Sequence, residues 1–186
     1  MKKVTFTASL LLPPIAYAIH HFEEHILFNF REWRLLYFPD SNPLSTELVF
    51  MILTTITLLY IFLHHVFENR ATAQSILLFL MASQVHNIIF HAGGTVFFWN
   101  FSPGLYTAIL LYLPVNIYIV LKAFQENWLS RRSLIIVFLL GGVLFWSFEK
   151  LGPLPMIVFL VGTYLWIAVE TKKTGSIKAK RVSSSA

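Results

Sequence analysis

Long apolar segments separated by short polar stretches dominate this chain. A bilayer crossing needs roughly 20 mostly apolar residues. Six segments approach or exceed that length: 4–27, 46–67, 72–92, 105–124, 133–149 and 153–170. The last two are short, and Gly152-Pro153 makes a tight turn between them, so they also read as one hairpin. Pro13-Pro14 should kink the first segment or open its backbone hydrogen bonding. Between the first two segments, residues 28–38 mix Phe28, Phe30, Trp33, Tyr37 and Phe38 with Arg31, Glu32 and Arg34. Aromatics and Arg suit headgroup level, so this stretch is expected to lie on the membrane surface and to cover whatever lies beneath it. The pattern predicts an all-α integral membrane bundle of about six helices in one domain, residues 1–170. A basic tail, residues 171–186, follows and is expected to be disordered.

Composition supports this reading. Hydrophobic residues make up 56% and charged residues 12%, and the mean hydropathy is +0.67. The net charge of +5 does not point to nucleic acid, because the basic residues sit in loops and tail rather than on one soluble face. With both termini cytoplasmic, eleven of the 14 Lys and Arg residues fall on the inner side, leaving Arg31, Arg34 and Lys150 outside. That bias obeys the positive-inside rule and places the chain in a bacterial inner membrane. A competing reading takes Met1-Lys2-Lys3, the apolar run and Ala16-Tyr17-Ala18 as a cleaved secretory signal, against which the two prolines weigh.

The chemistry gathers at the end of the first segment, in His20-His21-Phe22-Glu23-Glu24-His25. Ionisable groups inside a membrane are expensive and mark function. The chain has no cysteine, so any metal must be held by nitrogen and oxygen donors. On a helix His20 shares a face with Glu23 and Glu24, while His21 and His25 lie about 100° round. A second cluster, Gln84, His86, Asn87 and His91, interrupts the third segment. Asn87 and His91 share a face there, and His86 is rotated away from His91 by about 140°. Both segments run inner to outer, so the two clusters fall at similar depth. The expected metal ligands are His20, Glu24, His86 and His91, with Asn87, His25 and Glu149 as supporting partners. Glu23 or Glu24 is the expected general base. Glu47 and Tyr106 read more simply as interface residues, Asn116 as a helix-packing group, and His64 and His65 as inner-interface residues a bilayer away.

The run His20-His21-Phe22-Glu23-Glu24 resembles the signature of the HXXEE-domain membrane proteins. That family is also described by a further histidine and a Tyr-x-Pro-Gly motif. Here His86 and His91 offer the histidine, and Phe101-Ser102-Pro103-Gly104 falls where the last motif would, with Phe replacing Tyr. The resemblance covers residues 20–104 by motif and the whole chain by architecture. It transfers no established reaction.

The function expected from these residues is a metal-dependent membrane enzyme of hydrolase type. A divalent ion, foremost zinc, would activate water for attack on a lipid or lipid-linked substrate. A non-haem iron oxidoreductase is the second enzyme class. A proton or metal transporter, or a sensor, is the alternative without catalysis. Membrane lipids are the expected partners; nothing in the sequence fixes the oligomeric state.

Overall fold

The structure, a computed structural model, describes residues 4–39 and 44–183, with side chains to residue 172. The described residues are helical throughout and contain no strand. Five helices are long and apolar enough to cross a membrane: Thr46–Phe67, Arg70–Phe98, Leu105–Gln125, Arg131–Leu151 and Leu154–Lys172. Their outer faces expose rows of large apolar side chains, including Leu58, Leu59 and Phe62, or Ile135, Leu139 and Val143. Soluble monomers rarely leave apolar patches of this extent uncovered. These are the marks of a membrane protein.

The chain opens with α1 (Phe6–Ser9) and α2 (Leu12–Phe22), which pass into a π-helical turn at Glu23–Leu27. Pro13 and Pro14 lie at the start of α2, where a missing N–H costs nothing, and the break between α1 and α2 falls just before them. Glu126 at the far end of the bundle accepts a hydrogen bond from the Phe6 N–H at 2.7 Å and ties down this end. Amphipathic α3 (Phe30–Tyr37) follows, capped by the Asn29 side chain. Next come α4 (Thr46–Phe67) and α5 (Arg70–Leu80), the latter begun by an Asn69–Thr72 capping box. A π turn at Met81–Val85 joins α5 to α6 (His86–Phe98). The next crossing is α7 (Leu105–Thr107), a π turn at Ala108–Tyr112, and α8 (Leu113–Gln125). The last two elements are α9 (Arg131–Leu151) and α10 (Leu154–Ser183), so the helix of α10 continues into the basic segment.

The continuous run Arg70–Phe98 is the axial element. Of its most apolar stretch 61% is buried, against 17–28% for the other four spans, which form the wall. It also extends past the apolar segment, reaching Phe98 rather than 92. Helices α9 and α10 are distinct, separated at Gly152, whose φ of 66° ends α9. A Cβ at Gly141 would lie 2.6 Å from that of Met81, so this glycine lets α9 press against the π turn of the axial helix.

Candidate metal centre

Among the described residues three π turns interrupt the helices, and all three adjoin one polar cluster. Such turns insert a residue without ending a helix and are common at functional sites. The first carries Glu23 and Glu24, and the Phe28 N–H bonds Glu23 O at 3.0 Å in the i→i+5 pattern. The second precedes the half-helix that bears Asn87 and His91. The third ends on Tyr112.

His20, Glu24 and His91 converge. Their exposures are 1, 7 and 0%. Glu24 Oε1 lies 3.3 Å from His20 Nε2 and 3.0 Å from His91 Nε2. Neither Nε2 has a hydrogen-bond partner of regular geometry, and the Glu24 carboxylate stands beside both as their nearest charged neighbour. The opposite ring nitrogens are engaged. His20 Nδ1 pairs with Thr107 Oγ1 at 2.7 Å, and His91 Nδ1 with Ser102 Oγ at 2.9 Å. The Thr107 hydroxyl donates its own proton to Gly104 O, so it accepts from Nδ1–H of His20. In that tautomer His20 Nε2 carries a lone pair. In the tautomer where Ser102 Oγ accepts from Nδ1–H, His91 Nε2 likewise carries a lone pair. Imidazoles pinned through one nitrogen and bare at the other are the usual preparation of metal ligands. Ligand bonds of about 2.0–2.1 Å at a tetrahedral centre put neighbouring donors about 3.3 Å apart, close to the spacing here.

Glu23, one residue earlier, is occupied differently. Its carboxylate accepts the N–H groups of Gly104, Tyr106 and Thr107 at 3.2, 3.1 and 2.7 Å. These are orphan amides at the start of the Leu105–Gln125 crossing, which the charge caps. Both Glu23 oxygens are thus spent on backbone, and the residue anchors the site's floor. Glu24 accepts no backbone N–H among the described residues; imidazoles are its neighbours.

Gly104 is that floor. Its φ is +96°, and a Cβ there would fall 2.8 Å from His91 Cε1, 2.9 Å from Glu24 Cγ and 2.9 Å from His20 Cε1. Only a residue without a side chain packs so closely against all three. Phe101-Ser102-Pro103-Gly104 therefore supplies a hydroxyl for one histidine and close backbone approach for all three side chains. The replacement of Tyr by Phe at its head leaves these roles untouched, since Phe101 packs on Phe28 and Tyr106.

His86 does not join the cluster. Its Nδ1 pairs with Met81 O at 2.9 Å, and its ring lies against Phe138 and Gly142 on the α9 side of the axial helix. The rotation of about 140° between positions 86 and 91 points the two rings apart. A cavity of about 130 Å³ opens beside the triad, and Asn87, Glu149 and His25 line it together with His20 and Glu24. Arg34 donates to Glu149 Oε2 from Nε and Nη2, each at 3.2 Å, and joins α3 to the end of α9 across the cavity wall. Helix α3 lies over the site, with Phe30 on the cavity and 5.2 Å from the His91 ring, and Trp33 buried. His64 lies elsewhere, buried against Thr72 and Phe6.

Sequence reasoning did not find Tyr112, Ser102, Thr107 and Gly104 as working parts. Tyr112 lines the cavity, its ring 4.3 Å from that of His20, and its buried hydroxyl has no partner. Nothing in the local pattern of the fourth crossing distinguishes it or Thr107 from packing residues. Below the site, Asn116 donates to Gln84 Oε1 at 2.8 Å and Gln84 donates to Pro13 O at 3.0 Å, so these amides tie α2, the Arg70–Phe98 run and α8 together.

The pieces follow the order of the motifs, and comparison with known proteins agrees. A family model described as "Protein of unknown function with HXXEE motif" matches residues 11–119. The chain belongs to this family. It is also 30% identical, over 135 residues, to the uncharacterized protein YrkK of Bacillus subtilis (strain 168), which covers 69% of this chain and 83% of that protein. No solved structure matches it. The HXXEE motif thereby acquires a physical reading in this chain. Its histidine and second glutamate face a common point, and its first glutamate holds the backbone that forms the floor.

Proposed function

We propose that this protein is a metal-dependent integral membrane enzyme of hydrolase type. His20, Glu24 and His91 would hold a divalent ion, foremost zinc. The observation that carries this reading is the pair of buried, unbonded Nε2 atoms aimed beside one carboxylate oxygen, each ring pinned from behind. Burying a carboxylate without a countercharge costs several kcal/mol, and a dication would answer the Glu24 charge. Two nitrogens and one oxygen leave a coordination position open, as catalytic sites do. Bound there, the ion would lower the pKa of water and polarise a carbonyl or phosphoryl oxygen.

The remaining work falls to side chains on the cavity. Since Glu23 is committed to backbone, Glu149 is the second carboxylate facing the cavity, and in this reading it takes the proton of the attacking water. The free Tyr112 hydroxyl donates to a developing oxyanion or leaving group. A cavity of about 130 Å³ is below the usual range of about 300–1,000 Å³ for whole-ligand sites. It admits a head group or one ester linkage, while the apolar remainder of a lipid or lipid-linked substrate stays among the helices.

Residues 6–27 serve as a sixth crossing. Leu11, Leu12, Ile15, Ile19, Phe22 and Ile26 form its exposed stripe at helical spacing, and Phe6, Ala16 and His20 its buried one. Both termini are then cytoplasmic, and the site lies in the outer part of the inner membrane.

Elemental analysis of the detergent-purified protein tests the reading, together with mass spectrometry of products after incubation with the extracted lipids of the host membrane. Stoichiometric metal in the wild type, lost in His20→Ala and His91→Ala along with lipid turnover, is the expected result. Wild-type protein without bound metal, or variants that retain it, would overturn the metal reading. Metal without turnover of any extracted lipid would overturn the substrate class.

A further inference from the structure

Glu24 has a second oxygen, and it faces a second pair of histidines. His25 Nε2 lies 3.6 Å from Glu24 Oε2, and the donor atoms of His21, Glu24 and His25 all lie within 4.8 Å of one another. The helix places two i, i+4 pairs side by side: His20 with Glu24, and His21 with His25. In an ideal α-helix the second pair would look about 100° away from the first. The π turn at Glu23–Leu27 packs more residues into a turn, so consecutive side chains fan through a smaller angle. Glu24 can therefore serve both pairs, Oε1 to one and Oε2 to the other.

The surroundings of His21 and His25 favour a ligand over a packing role. Their rings lie 4.6 Å apart, His21 is stacked on Phe50 at 4.4 Å, and His25 meets the edge of Phe30 at 6.0 Å. The aromatic neighbours set ring orientation without using a ring nitrogen. Neither imidazole makes a hydrogen bond among the described residues. Both line the 130 Å³ cavity and also a more open groove between α3 and the start of α4, where Glu47 stands. The second group can thus be reached from outside the bundle, and Glu47 is a further carboxylate on its rim.

We infer that the centre is dinuclear, with Glu24 bridging a buried ion held by His20 and His91 and a more accessible ion held by His21 and His25. This rests on the metal-site reading above and adds a second ion to it. Each ion would have two imidazoles and one carboxylate oxygen, with positions left open. Two-metal hydrolytic sites hold their ions about 3.5–4 Å apart, a separation that one carboxylate can bridge. The cavity meets both groups, so one substrate head group can contact both ions and be held on two sides.

The test is metal stoichiometry of the full-length detergent-purified protein loaded with zinc alone, and electron paramagnetic resonance after loading with manganese alone. The variants are His21→Ala, His25→Ala, His25→Gln and His91→Ala, each checked by size-exclusion chromatography and helical circular dichroism. The expected result is two zinc ions per chain in the wild type and one in each folded His21 or His25 variant. The wild type should give an exchange-coupled manganese signal, and the His25 variants the signal of an isolated ion. One ion in the wild type, lost with His91 but indifferent to His21 and His25, overturns the second site and leaves the first standing. Two ions retained in the His21 and His25 variants place the second ion elsewhere and likewise overturn the proposal. No ion in the wild type removes the first reading and this one with it.

Discussion

His91 Nε2 lies 3.0 Å from Glu24 Oε1, which joins the axial helix to the end of the first helix. The contact depends on a third strand of chain that neither residue touches in sequence. Ser102 holds the His91 ring from behind, Thr107 holds that of His20, and Gly104 leaves the space in which the three ligands meet. The loop between the third and fourth crossings is thus part of the site, and its residues offer sharper tests than the ligands themselves.

The two glutamates of the motif should separate cleanly. Glu24→Gln removes a negative ligand and is expected to abolish metal binding. Glu23→Gln should keep the metal but weaken the floor, since one acceptor oxygen cannot serve three amides. A buried hydrogen bond to a charged group is worth about 1.5–3 kcal/mol, and Glu23→Gln should lower thermal stability by an amount of that order. Elemental analysis beside a tryptophan-fluorescence melt reads both. A folded Glu23→Gln that loses metal as fully as Glu24→Gln would make Glu23 a ligand.

Gly104→Ala should fail for two reasons that act at once. A non-glycine residue at φ +96° costs about 1–3 kcal/mol, and its Cβ would strike both histidine rings and Glu24. The expected outcome is loss of metal together with a lower melting temperature. Gly93→Ala, on the same stretch of chain but with open space at its Cβ, is the control and should change neither. Metal retained at wild-type level in Gly104→Ala would mean the ligands do not pack on this residue.

Ser102→Ala and Thr107→Val remove hydroxyls that orient the rings but leave all three ligands. Partners of this kind typically change metal affinity about 10–100-fold. Competition against a chelator should show weakening of that size in each, with the fold retained. Affinity equal to wild type in both variants would mean that the rings are oriented by packing alone.

In the proposed topology of six crossings, residue 28 lies outside and residue 175 inside. The natural chain has no cysteine, so Phe28→Cys and Gly175→Cys each give one label. In intact cells an impermeant maleimide should reach position 28 at once, and position 175 only after permeabilisation. The reverse pattern would invert the topology and move the site to the cytoplasmic half.

The sequence by itself determined the helical architecture, the membrane character and the location of the chemistry. Runs of apolar residues near 20 long admit few alternatives in lipid, where every backbone group must be satisfied within its own helix. The spacing of His20 and Glu24 put them on one face, and reading the first and third apolar segments as parallel predicted His91 at their depth. Tertiary structure decided the rest. Periodicity gives angles within a straight helix, and the π turn at residues 23–27 altered those angles where they mattered. The separation of Glu23 from Glu24 is a long-range event: amides of residues 104, 106 and 107 claim one carboxylate, and two imidazoles gather at the other. Whether His86 or His91 serves depended on which face of the axial helix met α9, and Gly141 and Gly142 settled that by admitting α9 on the His86 side. Tyr112 and Thr107 carry no local signal, because a tyrosine or threonine in an apolar helix looks the same whether it fills a core or faces a site. Only the packing of the fourth crossing against the first gave them their neighbours.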